Sequence, residues 1–220
     1  MSERTAEATG GRFVRQDSRF RDRVTVDGSS GFPAEAGRYH LYVSLACPWA
    51  HRAMILRRLK GLEHAIGMTV VDPIRDERGW RFTRELPDPV NGWAFLSEGY
   101  EATDPHFEGR VTVPVLWDTK TGRIVNNESA DVIEMLDESF QAHARHPERD
   151  YAPLGLRDDM AELNDRVYAT LNNGVYRAGF ATSQEAYEEA VFPLFDTLDM
   201  LEERLGERRY LMGERQTLAD

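Results

Sequence analysis

Cysteine is almost missing from this chain: Cys47 is the single one among 220 residues. One cysteine cannot close an internal disulfide and cannot by itself build a zinc site. Long apolar runs are missing too, since none nears the roughly 20 residues that would span a bilayer. The segment Met1 to Arg12 is polar and mixed in charge, without the apolar core of a secretory signal. Positive charge is in deficit: 27 Lys and Arg face 38 Asp and Glu, a formal net charge of -11. So acidic a surface repels phosphate backbones, and no basic stripe offsets it, so nucleic acid is not an expected partner. What is present, 41% hydrophobic and 30% charged residues, is the make-up of a folded chain rather than a disordered one. The bulk reading is a cytoplasmic protein with neither metal nor membrane.

Organised patterning begins at Tyr39. Residues 1–37 are rich in Arg, Asp, Gly and Ser and read as an N-terminal extension that wraps or frays. Tyr39, Leu41, Val43 and Leu45 then alternate with His40, Tyr42 and Ser44, the period of a strand. A helix follows to Lys60, with Pro48 in its first turn, Trp49, Ala53, Leu56 and Leu59 on one face, and Gly61 as its stop. Met68 to Val71 predicts a second strand. The stretch from Asp72 to Gly109 reads as a long insertion loop carrying Trp80, Phe82, Trp93 and Phe95, and long ordered loops commonly serve a site. Val111 to Trp117 and Ile124-Val125, joined by a Thr119–Gly122 turn, predict a hairpin. Asn127-Glu128-Ser129 then caps a helix bearing Val132, Ile133, Leu136 and Phe140.

Strand, helix, strand, hairpin, helix is the βαβ–ββα layout of a thioredoxin-like domain, placed at residues 38–140. Residues 141–155 form a polar linker, and 156–220 a helical domain. In it Tyr187, Val191, Leu194, Leu198, Leu201 and Leu205 line one face, and Pro193 kinks the helix or marks its start. Thr217 to Asp220 has the pattern of an N-cap box that should open a further helix, so the helical domain is expected to be incomplete here.

Cys47 is set between a strand and a helix start, where backbone N–H groups and the helix dipole favour a thiolate. The competing reading is a buried, inert thiol. In a C-x-x-C pair the second cysteine resolves a mixed disulfide, but here position 50 is Ala. A mixed disulfide on Cys47 therefore needs an outside thiol, and glutathione is the abundant cytosolic candidate. His51, one turn on, is a candidate base, explained equally well as a solvated or packing histidine. His143 and His146 have metal-like spacing, but nothing completes a site around them. Val113-Pro114 is odd for a central strand; a cis peptide beside a site explains it, leaving the Val113 backbone free to pair with a peptide ligand, and an ordinary edge proline is the alternative. Glu128-Ser129 offers a carboxylate, a hydroxyl and free N–H groups that suit a γ-glutamyl group, although plain capping accounts for it too.

These residues resemble the xi class of glutathione transferases, the glutathionyl-hydroquinone reductases. The resemblance rests on Leu41-Tyr-Val-Ser-Leu-Ala-Cys-Pro-Trp-Ala-His-Arg-Ala53, Gly79-Trp-Arg-Phe82, Arg110-Val-Thr-Val-Pro-Val-Leu-Trp117, Asn127-Glu-Ser-Ala-Asp131 and Asn172-Asn-Gly-Val-Tyr-Arg-Ala-Gly179. It implies a glutathione transferase fold, a homodimer, glutathione as co-substrate, and Cys47 as nucleophile. It also implies that Trp80 covers glutathione while Arg110, Val111, Thr112, Val113, Glu128 and Ser129 hold it, and that Tyr176 donates a proton. The reaction implied is reduction of glutathionyl-hydroquinones through a cysteine–glutathione mixed disulfide. An omega-type thiol transferase or dehydroascorbate reductase, and a non-enzymatic binding protein of the same fold, are the alternatives. Trp93, Phe95 and Tyr100 are candidate walls for an aromatic acceptor, or simply loop packing.

Overall fold

The computed structural model describes residues 8–220. They form two compact units: residues 18–150, and residues 151–220 joined by the segment that ends at Asp17. In chain order the strands are β1 Ala8–Thr9, β2 Arg12–Phe13, β3 Tyr39–Val43, β4 Ile66–Val70, β5 Val115–Asp118 and β6 Arg123–Asn126. The α-helices are α1 Pro48–Leu59, α2 Ser97–Thr103, α3 Ser129–Glu138, α4 Arg157–Val167, α5 Gly174–Gly179 and α6 Gln184–Glu207.

The 18–150 unit is built on a four-stranded sheet in the order β4-β3-β5-β6. Strand β3 runs parallel to β4, and β5 runs antiparallel to both β3 and β6. Two reversals make β6 parallel to β3, so the helices that follow them, α1 and α3, start at the same edge of the sheet. Strand β5 enters from that edge, because its first residue Val115 pairs with Tyr42 near the end of β3. The fold is thioredoxin-like.

Every residue of β3 is buried, so its alternation does not separate a core face from a wet face. Tyr39 meets Phe140, just past α3, edge to face. Tyr42 points the other way, against Phe82 and Trp93 of the insertion, and its hydroxyl donates to Asp88 at 2.9 Å. A strand covered on both faces has to satisfy its polar side chains internally, and His40 does so against Thr69 at 2.7 Å. The insertion is therefore the second cover of the sheet. It contains the helix α2, which the loop reading missed: a seven-residue helix with two glycine-adjacent buried positions, Gly99 and Tyr100, has too few apolar repeats to show a period.

Residues 18–37 also pack onto this unit. Val24 and Phe32 are buried, Arg21 pairs with Asp131 in α3, the Phe20 N–H donates to Asn127 Oδ1, and the Phe20 carbonyl accepts from the Asn127 N–H. Residues 18–37 of the extension thus wrap onto this unit.

In the other unit, α6 runs unbroken through Pro193 and is capped by Ser183, whose hydroxyl accepts from the Ala186 N–H at 3.2 Å. Pro193 therefore does not mark the start of the helix; it removes one backbone donor within it. Gly11, in the β1–β2 turn, has φ +80, and a Cβ there would lie 2.7 Å from Ser183 Oγ, so only glycine fits. Thr217 and Asp220 make the reciprocal bonds of a capping box: Ala219 N–H to Thr217 Oγ1, and Thr217 N–H to the Asp220 carboxylate.

The two central strands are tied together by an ion pair between the residue before β3 and the last residue of β5. Arg38 donates to both carboxylate oxygens of Asp118, at 2.8 and 2.7 Å, and both side chains are buried. Burial opposes the Asp118 charge, but donors from Arg38, Thr121 and the Lys120 N–H outweigh it and hold the carboxyl below its usual range. Removing one partner from such a pair costs about 3–5 kcal/mol. Arg38→Met is expected to lower unfolding free energy by roughly that amount in urea titration. Because the folded-state pKa is depressed, this stabilisation is present above the ordinary carboxylate range and is lost only as pH falls through the folded value. In the variant that acid-dependent component should shrink.

Candidate active site

Cys47 is the N-cap of α1, in extended backbone conformation, with Pro48 in the first turn. The cap position leaves its sulfur beside the unbonded N–H groups at the start of the helix, where a thiolate would face the positive end of the dipole. Its carbonyl accepts from the His51 N–H at 3.1 Å, and its own N–H donates to Ser44 O at 3.1 Å, which fixes the turn out of β3. The thiol is half-buried and donates to the carbonyl of Val113 at 3.5 Å. Ionised, it could no longer make that bond. The thiol is thus part-exposed rather than buried.

The peptide Val113-Pro114 is cis. Pairing of β5 begins at Val115, so Val113 lies beyond the ladder, at the sheet edge where α1 starts. Val111 and Val113 are buried, while Arg110 and Thr112 are half-exposed. Across this segment runs the insertion. Gly79 has φ +97, and a Cβ on it would sit 3.7 Å from Val111 Cβ, so the turn carrying Trp80 borders Val111 directly. Trp80 is half-buried, its carbonyl held by the Leu96 N–H at 2.9 Å.

At the start of α3, Glu128 is the N-cap and accepts from the Ala130 N–H at 3.3 Å. Its other oxygen accepts from Ser18 Oγ at 2.8 Å, so the extension reaches this point too. Ser129 is buried, and its hydroxyl accepts from Arg52 of α1 at 3.3 Å. Burial pulls the Arg52 guanidinium below its usual range, opposed by Glu128 and Glu134. Nothing in the spacing of residues around Cys47 marks Arg52 out, beyond its position five residues on, facing the neighbouring helix.

Cys47, the 110–113 segment, Trp80, Glu128 and Ser129 thus belong to one unit and gather along one edge of its sheet. His51 is exposed and pointed out of the fold. Of the candidate acceptor walls, Tyr100 is fully buried and hydrogen-bonded to Thr112 and Asn127, so it is core and lines no acceptor site. Trp93 packs edge to face on Trp117, and Arg78 lies over the Phe95 ring. Tyr176 is in the helical unit, on α5. Its half-buried ring is flanked there by Phe13 and Phe180, with the Arg15 guanidinium 5.2 Å from its centre.

This arrangement can be set against known proteins. The family model of the glutathione S-transferase N-terminal domain matches residues 46–139. The glutathionyl-hydroquinone reductase PcpF of Sphingobium chlorophenolicum is 50% identical over 217 residues, covering 97% of this chain and 68% of its own length. The glutathionyl-hydroquinone reductase YqjG of Escherichia coli K12 is 51% identical over 224 residues, with the same coverage of 97% and 68%. Its glutathione-bound structure superposes with a TM-score of 0.86 over 91% of this chain and 68% of that one. The glutathione transferase Xi of Phanerochaete chrysosporium gives a TM-score of 0.90 at 46% identity, over 94% of this chain and 72% of that one. Half of all positions shared across almost the whole length, with a superposable fold, leaves a single assignment: this chain belongs to the xi class of glutathione transferases, the glutathionyl-hydroquinone reductase family.

Proposed function

We propose that this protein reduces glutathionyl-hydroquinones to hydroquinones with glutathione as co-substrate, using Cys47 as its nucleophile. The observation that carries the reading is Cys47 Sγ at the mouth of α1, 3.5 Å from the Val113 carbonyl beside a cis proline. A tripeptide laid along the sheet edge pairs its backbone with Val113 and brings its sulfur to Cys47. Arg110, Val111 and Thr112 line the same segment. The Glu128 carboxylate and Ser129 receive the γ-glutamyl end at the start of α3, where free N–H groups favour its carboxylate. Trp80 closes over the tripeptide. The names of PcpF and YqjG, and the glutathione bound to YqjG, support the same reading.

In the first step the Cys47 thiolate attacks the glutathione sulfur of the conjugate. The S–S bond forms, the bond from sulfur to the ring breaks, and Tyr176 gives its phenolic proton to the ring carbon that leaves. In the second step the thiolate of a free glutathione attacks the mixed disulfide, producing oxidised glutathione and the Cys47 thiolate. The proton lost by that glutathione restores Tyr176. The ring gains hydrogen and two glutathiones share the oxidation, so atoms and electrons balance. A chain with one cysteine suits a reducing compartment, and we place it in the cytoplasm as a homodimer. No helix among the described residues is long and apolar enough to cross a membrane.

Mass spectrometry after incubation with a glutathionyl-hydroquinone should show one glutathione on Cys47, removed by free glutathione. Cys47→Ala should gain none and lose turnover by on the order of 10³-fold or more. Unchanged turnover in Cys47→Ala would overturn the mechanism, absence of turnover in the parent chain would favour a binding protein, and preference for dehydroascorbate would move it to the omega type. Tyr176→Phe keeps the ring contacts with Phe13 and Phe180 and removes only the proton. It is expected to cut kcat by about 10²-fold with little change in KM, as read from steady-state kinetics.

A further inference from the structure

The Tyr100 hydroxyl is the meeting point of the two backbone segments that the proposed reading gives to glutathione. Tyr100 comes from α2, inside the insertion, and its side chain is 0% exposed. The hydroxyl donates to the Thr112 carbonyl at 2.9 Å and accepts from the Thr112 N–H at 3.1 Å. The Asn127 side-chain amide donates to the same oxygen at 3.2 Å and to Thr112 Oγ1 at 3.2 Å. One oxygen thus clamps the residue before Val113 by both of its backbone groups, and ties it to the residue before the α3 cap.

Two further contacts fix this clamp from the extension. Asn127 Oδ1 accepts from the Phe20 N–H at 2.9 Å, and the Phe20 ring packs edge to face on Tyr100 at 5.4 Å. Phe107, at the end of the insertion, covers the Tyr100 ring from another side at 4.8 Å. A phenol has one proton and two lone pairs, and here all three are used on backbone and amide groups. That is more than burying an aromatic ring requires, since a phenylalanine would fill the same space.

We propose that Tyr100 is a positioning residue for glutathione. Its hydroxyl sets the distance between the Thr112–Val113 backbone and the Glu128–Ser129 helix start, and so the span into which the tripeptide fits. This rests on the reading of those segments as the glutathione site. The hydroxyl touches no reacting atom, and the tripeptide occupies that span alike before and during reaction. Its loss therefore weakens binding uniformly, raising KM for glutathione and leaving kcat in place.

Tyr100→Phe removes the clamp and keeps the ring. Tyr42→Phe is the control: it also deletes a buried phenol hydroxyl of this unit, one bonded to Asp88 and Asn91 on the insertion side. Asn127→Ala cuts the clamp from its other end and serves if Tyr100→Phe does not fold. Glutathione affinity is measured by calorimetric titration, and KM and kcat by turnover of a glutathionyl-hydroquinone, all well below the unfolding temperature of each variant. Tyr100→Phe or Asn127→Ala is expected to weaken glutathione binding and raise its KM by about tenfold, with kcat within about twofold, while Tyr42→Phe leaves both constants as in the parent. If the Tyr100 and Tyr42 variants bind glutathione equally, or if kcat falls while KM holds, the positioning role is wrong. A parent chain that does not bind glutathione sinks the site reading and the inference together. A parent that binds it but leaves the conjugate intact sinks only the proposed reaction.

Discussion

The parallel packing of α1 and α3 on one face of the sheet is the constraint on which the site depends. Each helix contributes its N-terminus, and the two termini are level only because the strands that lead into them run the same way. The pair is tied at both ends. Lys60, past the end of α1, donates from within the core to Asp137 in the last turn of α3 at 2.8 Å and to the Arg149 carbonyl at 2.6 Å. Arg52 near the start of α1 donates to Ser129 at the start of α3. A fully buried ammonium has value only when paired and hydrogen-bonded, so Lys60 specifies the register of the helices as much as it stabilises them. Sliding one helix by a turn would strand that charge.

From this frame the chemistry follows by position. One helix start stands beside Cys47, and in the proposed reading the second receives the carboxylate of the ligand. The strand entering between them brings Val113, whose backbone stands outside the ladder. The insertion and the extension, which a bare βαβ–ββα layout does not need, both end at this edge. Tyr100 and Trp80 arrive by the first route, Ser18 and Phe20 by the second. The extra chain is thus placed where the site is, and it covers the far face of β3 as well.

Membership of the xi class of glutathione transferases accounts for the lone cysteine. A thioredoxin-like site with Ala50 in place of a second cysteine has no internal resolving thiol, and in the proposed reaction glutathione takes that part. The helical unit carries Tyr176 in an aromatic setting with an arginine over its ring, a setting that orients a phenol while leaving it part-exposed.

The chain alone determined the elements with strong local signals. Alternation in β3, the proline at the mouth of α1 and the cap at α3 act over a few residues, and periodicity and capping are local physics. The Cys47 position and the proline after Val113 were legible for the same reason. The tertiary structure alone decided which distant residues hold those pieces in place. Arg52 with Ser129 spans 77 positions, Tyr100 with Asn127 spans 27, and Ser18 with Glu128 spans 110. Tyr100 shows the reason most clearly. Its sequence surroundings describe an aromatic in a polar loop, as ready for an acceptor site as for the core. Burial and hydrogen bonding depend on what the folded chain brings alongside, and no local pattern encodes that.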